Sequence, residues 1–76
     1  MRLLEFLQKG GYDREEDVQI WLDHPTAEDL GMLLFMGEWK LAIAFVLMSA
    51  ELSGYEITYT EETSDGFNIT IMYREN

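Results

Sequence analysis

Residues 31–50 read GMLLFMGEWKLAIAFVLMSA, and the interpretation of this segment determines the fold class. Its only charged side chains are Glu38 and Lys40, and its longest uninterrupted apolar run covers residues 41–48. A membrane-spanning helix needs about 20 predominantly apolar residues. Both charges would lie near the middle of a span that began at Leu30, where charge is costly. The segment therefore predicts a buried helix in a globular domain and not a membrane span.

The second half of this segment is predicted to form the central helix of the domain, over residues 38–52. It is apolar almost all round from residue 41 to residue 48, which is typical of a helix surrounded by other elements. Gly54 is well placed to terminate it. A shorter helix is predicted before it over residues 27–36, with Thr26 as its N-cap.

Two further helices are predicted in the first third of the chain. Residues 2–9 carry leucine and phenylalanine at helical spacing, and a Gly-Gly pair follows them. Asp13 and Glu16 have the spacing of a capping box, so a second helix is expected over residues 13–22. The predicted apolar stripe of that helix consists of Val18, Trp21 and Leu22.

The last third of the chain changes to a period of two. In YEITYT (residues 55–60) and FNITIMYR (residues 67–74), apolar and polar side chains alternate. The polar loop EETSDG, which ends in Asp-Gly, joins the two runs, so they predict an antiparallel β-hairpin. An isolated hairpin is barely stable in water. Its apolar face is therefore expected to cover the central helix.

The predicted fold class is α+β, with three to four short helices followed by a C-terminal antiparallel β-hairpin packed on the central apolar helix. The chain has 76 residues and is expected to be a single domain over residues 1–76. It has no cysteine, and Glu5 interrupts the N-terminal apolar run, so a cytoplasmic location without a signal peptide is expected. A two-stranded sheet leaves both edges open, so a homodimer paired through the hairpin is a further expectation.

The charge of the chain is strongly negative, at −10 for 15 acidic and five basic residues. Residues 13–29 hold seven acids against Arg14, a net of −6, and residues 49–76 hold six acids against Arg74, a net of −5. A nucleic-acid backbone requires cations, so this composition excludes direct binding of nucleic acid. The implied partner is a basic protein surface, such as that of a nucleic-acid-binding protein.

The acids have a second interpretation, because carboxylates in the first turn of a helix interact favourably with the helix dipole. They also keep a small domain soluble, although a net charge of about 2–8 is sufficient for that. Partner-binding residues are predicted in the first acidic block and at the hairpin tip. They are Asp13, Glu15, Glu16, Asp17, Asp23, Glu28, Asp29, Glu61, Glu62 and Asp65.

Catalytic and metal-binding motifs receive little support from the sequence. Asp13, Glu15 and Asp17 alternate like the first ligands of an EF-hand loop, but Val18 stands where that loop needs glycine. His24 is the only histidine, and one histidine without cysteine is not a zinc site. Neither a nucleophile with a nearby base nor a phosphate-binding loop is recognisable. We expect no enzymatic activity, no metal and no cofactor.

Small size, strong acidity, an α+β pattern and the lack of a catalytic motif form a profile that resembles the small inhibitors encoded by phages, including anti-CRISPR proteins and DNA mimics. The resemblance is one of profile and not of motif. It implies a non-enzymatic, acidic protein-binding inhibitor of a nucleic-acid-handling protein. The alternative is a small homo-oligomeric structural or assembly module, in which the apolar helix and the hairpin edge form the interface.

Overall fold

The computed structural model describes residues 1–10, 15–23, 31–64 and 66–72. The elements within these ranges are α1 (Leu3–Gly10), β1 (Asp17–Asp23), β2 (Met32–Glu38), α2 (Trp39–Leu47), α3 (Ala50–Ser53), β3 (Ile57–Thr63) and β4 (Gly66–Met72). The strands form one sheet in the order β2-β1-β4-β3. The central pair β1–β4 is parallel, and the two outer pairs are antiparallel. The predicted α+β class is therefore confirmed.

The described helices pack on one face of this sheet and form a single hydrophobic core with it. The fully buried side chains come from α1, α2 and the two central strands. They are Leu3, Leu7, Val18, Ile20, Trp39, Ala42, Ile43, Val46, Ile69 and Ile71. Because neighbouring residues of a strand point to opposite faces, only alternate residues of β1 and β4 reach this core.

The predicted helix over residues 13–22 is wrong from Asp17 onward, where the chain forms β1. Val18 and Ile20 are buried and Leu22 packs against the core, so the burial follows a period of two. Trp21, placed in the apolar stripe of the predicted helix, lies on the opposite face of the strand. The cap residue of the predicted helix, Asp13, lies outside the described residues.

The predicted helix over residues 27–36 is also wrong where the structure describes it, because Met32–Glu38 form β2. This strand pairs antiparallel with β1, and a register shift lies beside Ile20 and Trp21. The ring of Phe35 stacks on that of Phe45 in α2, with centroids 5.2 Å apart. Tertiary pairing and this contact outweigh the helix propensity of the leucine- and methionine-rich segment.

The predicted central helix is interrupted at Met48. α2 ends at Leu47, and Ser49 then caps α3 by accepting a hydrogen bond from the backbone N–H of Leu52 at 3.2 Å. Gly54 follows α3 at the predicted position of the terminator.

The expectation that α2 is surrounded by other elements is wrong. Leu41 and Leu47 are about half exposed, and Met48, the residue after the helix, is 88% exposed. An apolar side of the helix therefore faces away from the core.

The C-terminal strands β3 and β4 pair with each other, but they do not form a separate two-stranded sheet on a central helix. The other edge of β4 pairs with β1. A register shift between Ile57 and Tyr59 turns Tyr59 away from the core face, because an extra residue in one strand reverses the alternation beyond it. The expectation that the apolar side chains of YEITYT (residues 55–60) all cover the central helix is therefore wrong at Tyr59.

The outer edge of β3 is partly covered by the start of the chain. The backbone N–H of Leu3 donates to the carbonyl of Tyr55 at 2.8 Å, and that of Ile57 donates to the carbonyl of Met1 at 3.0 Å. The hairpin edge is therefore less open than the sequence suggested. None of the helices in the described ranges is long and apolar enough to cross a bilayer.

Candidate functional site

The two acidic blocks of the sequence meet at one corner of the sheet. β1 and β4 pair in parallel with Val18 opposite Phe67, so the start of β1 lies beside the turn that joins β3 and β4. An open concavity of about 460 Å³ lies there. It is lined by Glu15, Glu16, Asp17, Glu62, Thr63, Ser64 and Gly66. We refer to Glu15, Glu16, Asp17 and Glu62 as the acidic corner; none of the described lining residues is cationic.

Gly66 permits this close approach of β1 to the turn. Its φ of +154° is rarely adopted by residues with a side chain. A Cβ atom at this position would lie 2.5 Å from the carbonyl oxygen of Asp17. Glycine therefore allows the first acidic block to lie against the hairpin tip.

A second surface is the sheet face opposite the helices, which we call the open face. Two rows of side chains cross it from β2 to β3. The first row is Met36, Gln19, Asn68 and Glu61, and the second is Leu33, Trp21, Thr70 and Tyr59. The indole N–H of Trp21 donates to the side-chain oxygen of Gln19 at 3.2 Å, and the amide of Gln19 contacts the sulfur of Met36 at 3.6 Å. These contacts show that the side chains of Trp21, Gln19 and Met36 lie on the same face of the sheet.

The charges on the open face lie around its apolar centre. Asp17 and Asp23 share the face of Gln19 and Trp21 at the two ends of β1, because alternate residues of a strand lie on the same side. Glu38 faces Asp17 in the β1–β2 register. The exposed Lys40 side chain at the start of α2 lies 3.6 Å from the Glu38 carboxylate. Together with Glu61, these residues give the described part of the open face four acids.

The hydroxyl group of Tyr59 on the open face has a shifted pKa. This hydroxyl donates to the Glu61 carboxylate at 3.0 Å. That hydrogen bond, the negative charge of Glu61 and partial burial raise the pKa of Tyr59 above its ordinary value. The raised pKa is therefore mainly a local effect of the neighbouring Glu61 carboxylate.

The structure places the predicted partner-binding residues that it describes on two surfaces. Glu15, Glu16 and Glu62 lie at the acidic corner, Asp23 and Glu61 lie on the open face, and Asp17 belongs to both. The remaining predicted residues, Asp13, Glu28, Asp29 and Asp65, lie outside the described residues. Since a strand and not a helix follows Glu15 and Glu16, the interpretation of these acids as helix-dipole partners is wrong.

The sequence pattern predicts Trp21 and Tyr59 in the core, whereas the structure places both on the open face. The alternation of Gln19, Trp21 and Asp23 was the available signal for Trp21, since it places an aromatic ring on a polar strand face. No comparable signal marked Tyr59, because the register shift that exposes it depends on pairing with β4.

The structure offers no described cluster suited to metal chemistry: in residues 1–10, 15–23, 31–64 and 66–72, no group of three or more histidine, cysteine or acidic side chains could hold a metal ion. His24 lies outside these ranges. Comparisons of the chain with protein-family models, with curated proteins and with solved structures found no match.

Proposed function

We propose that this protein is a non-enzymatic inhibitor that binds the basic surface of a nucleic-acid-handling protein through the acidic corner. The observation that supports the proposal best is the convergence of Glu15, Glu16 and Asp17 with Glu62 in one open concavity. Asp17 and Glu62 belong to different acidic blocks and are 45 residues apart in the sequence. One partner surface can therefore contact both blocks together.

The density of negative charge supports a partner that normally holds nucleic acid. Double-stranded DNA carries one charge per about 1.7 Å of its axis. The acidic corner combines three consecutive acids with a fourth from β3, which lies two strand spacings of about 4.8 Å each from β1. A single exposed ion pair contributes only about 0.2–1 kcal/mol. Several carboxylates on one surface act together, and they also accelerate association with a basic target.

The proposal is tested by capture followed by competition. The immobilised protein is exposed to lysate, and a captured protein is identified, purified and assayed for binding to a labelled DNA or RNA duplex. We expect the chain to displace the duplex from its partner at a one-to-one ratio. The variant Glu15→Gln with Glu62→Gln removes one charge from each block and should weaken displacement about fivefold to tenfold, since each lost pair costs up to about 1 kcal/mol.

The matched control is Glu5→Gln with Glu51→Gln, which changes the net charge equally at exposed positions outside the acidic corner. This control should displace the duplex as well as the wild type does. Equal weakening by both double variants would show that only net charge matters. A captured partner whose nucleic-acid binding is unaffected by the chain would contradict the inhibitor proposal.

The second candidate function is a homo-oligomeric assembly module, and the exposed apolar side of α2 favours it. Leu41, Leu47 and Met48 are exposed there, and the apolar run of residues 41–48 carries no charge that would repel a second copy. Light scattering at low and high salt tests this candidate. A dimer that persists in high salt and dissociates in the variant Leu41→Lys with Met48→Lys would support it, whereas a monomer at both salts would reject it.

A further inference from the structure

We propose that the open face is the docking site for a cationic amphipathic helix of the partner protein. This inference rests on the proposed function, which requires a basic partner, and it names the element of that partner and the face that receives it. The open face is a different surface from the apolar side of α2, because it lies on the opposite side of the sheet from the helices.

The centre of the open face is apolar and accessible. Met36 is 64% exposed and Tyr59 is 57% exposed, and Leu33 and Trp21 complete the group. The indole N–H of Trp21 is already bonded to Gln19, so a partner can contact the ring without leaving this donor unpaired. A group of exposed apolar side chains surrounded by polar residues is typical of an interaction surface.

The charges around that centre complement a cationic helix. Asp17 and Asp23 stand at the two ends of β1, about 20 Å apart for six residues of extended chain. Glu61 adds a carboxylate beside Tyr59. Arginine side chains can pair with these acids, and their guanidinium groups can also stack on the rings of Trp21 and Tyr59.

The dimensions of the open face fit one helix. Four strands about 4.8 Å apart span about 14 Å, which accommodates a helix with a diameter of about 10–12 Å. The length of about 20 Å corresponds to about 13 helical residues. A second copy of this chain would bring two sets of four carboxylates together, and like charges in contact oppose association. A partner helix with a stripe of leucine bordered on both edges by arginine or lysine matches both the apolar centre and the acids around it.

The two tryptophans allow a direct test by NMR. The probe is an unlabelled 18-residue helical peptide with a stripe of leucine bordered on both edges by arginine, titrated into the ¹⁵N-labelled protein. We expect the indole N–H resonance of Trp21 to move, together with backbone amides of β1 and β4. The indole N–H of Trp39 is fully buried and bonded to the carbonyl of Leu7, so its resonance should stay in place. A control peptide has the same composition but a sequence order that leaves no continuous leucine stripe. It should bind at least tenfold more weakly.

Variants locate the contact. Asp23→Asn with Glu61→Gln should weaken peptide binding about fivefold to tenfold, and the charge-matched Glu5→Gln with Glu51→Gln should change it less than twofold. The inference is overturned if both peptides bind equally, or if Trp21 does not respond at a saturating concentration of the amphipathic peptide.

The result for the captured partner separates this inference from the proposed function. One outcome is that the partner binds the double variant Glu15→Gln, Glu62→Gln more weakly than the wild type but binds the double variant Asp23→Asn, Glu61→Gln as tightly as the wild type. In that case the open-face inference fails and the proposed function stands. If the amphipathic peptide binds the open face but the captured partner keeps its nucleic acid, the proposed function fails instead.

Discussion

The indole N–H of Trp39 donates to the backbone carbonyl oxygen of Leu7 at 2.8 Å, and this hydrogen bond joins the start of α2 to the end of α1. The Leu7 carbonyl is one of the last four of α1, which have no donor within their own helix. Trp39 is fully buried, and its ring occupies the space beside Gly10 that a side chain would take. Trp39 therefore packs in the core and also supplies a hydrogen-bond donor to a carbonyl at the end of α1.

Replacing Gly10 with alanine should destabilise the fold. The new Cβ would lie 2.5 Å from Cζ2 of Trp39, so the indole ring or the end of α1 must move. Overpacking of this kind costs about 1–3 kcal/mol, measured as the free energy of unfolding in urea. Gly54→Ala is the control, since its Cβ would meet only the Glu51 carbonyl, at 3.8 Å. Similar decreases in the free energy of unfolding for Gly10→Ala and Gly54→Ala would contradict the close contact between Gly10 and Trp39.

Replacing Trp39 with phenylalanine should cost about 2–4 kcal/mol of unfolding free energy, because the smaller ring leaves a gap and the Leu7 carbonyl loses its donor. Far-UV circular dichroism in urea measures the change without relying on tryptophan fluorescence. Trp21→Phe is the matched control on the open face and should cost less than about 1 kcal/mol. An equal loss for the two substitutions would refute the assignment of Trp39 to the core and Trp21 to the surface.

The sequence predicted some of the local elements but not the four-stranded sheet. The first helix, the core of α2 and the pairing of the last two strands follow from spacing that is visible within a few residues. β1 and β2 could not be assigned in this way, because the capping-box pattern and the i, i+3, i+4 spacing of Val18, Trp21 and Leu22 also fit a helix. Their strand conformation depends on pairing of β1 with β4, which is more than 40 residues away.

A disulfide tests the parallel pairing that sequence reasoning missed. Gln19 and Asn68 are register partners in β1 and β4, so the variant Gln19→Cys with Asn68→Cys should oxidise to an intramolecular disulfide. The chain has no natural cysteine to compete. Gln19→Cys with Thr70→Cys is the control, since its α carbons would lie about 8 Å apart, too far for a strain-free bridge. Preferential bridging in the control would contradict the register.

The candidate site was predictable in composition but not in arrangement. The charge count identified the acids, and Glu15, Glu16, Asp17 and Glu62 do lie together. Their convergence depends on the parallel β1–β4 pair and on the backbone of Gly66, and neither appears in a charge pattern. The open face was missed for the same reason, because a predicted two-stranded hairpin has no four-stranded surface.

The titration of Tyr59 should depend on Glu61. Its hydrogen bond to the Glu61 carboxylate and the charge of that group raise the Tyr59 pKa above about 10. Because the folded state holds this proton more tightly than the unfolded state, the associated stability is present below pH 10 and is lost as pH rises through the raised pKa. Glu61→Gln should lower the Tyr59 pKa, measured from the ring ¹³C resonance. Glu62→Gln is the control, and an equal decrease in that variant would contradict the specific contact.

A salt series of the dissociation constant for the captured partner provides the sharpest test of binding through the acidic corner. Exposed charge pairs are screened as ionic strength rises, so we predict a loss of affinity of at least tenfold between about 50 mM and 500 mM salt. The variant Glu15→Gln with Glu62→Gln should bind more weakly at low salt and respond less to added salt, and Glu5→Gln with Glu51→Gln should follow the wild type. A dissociation constant that is insensitive to salt, or the same salt response in both double variants, would contradict the account.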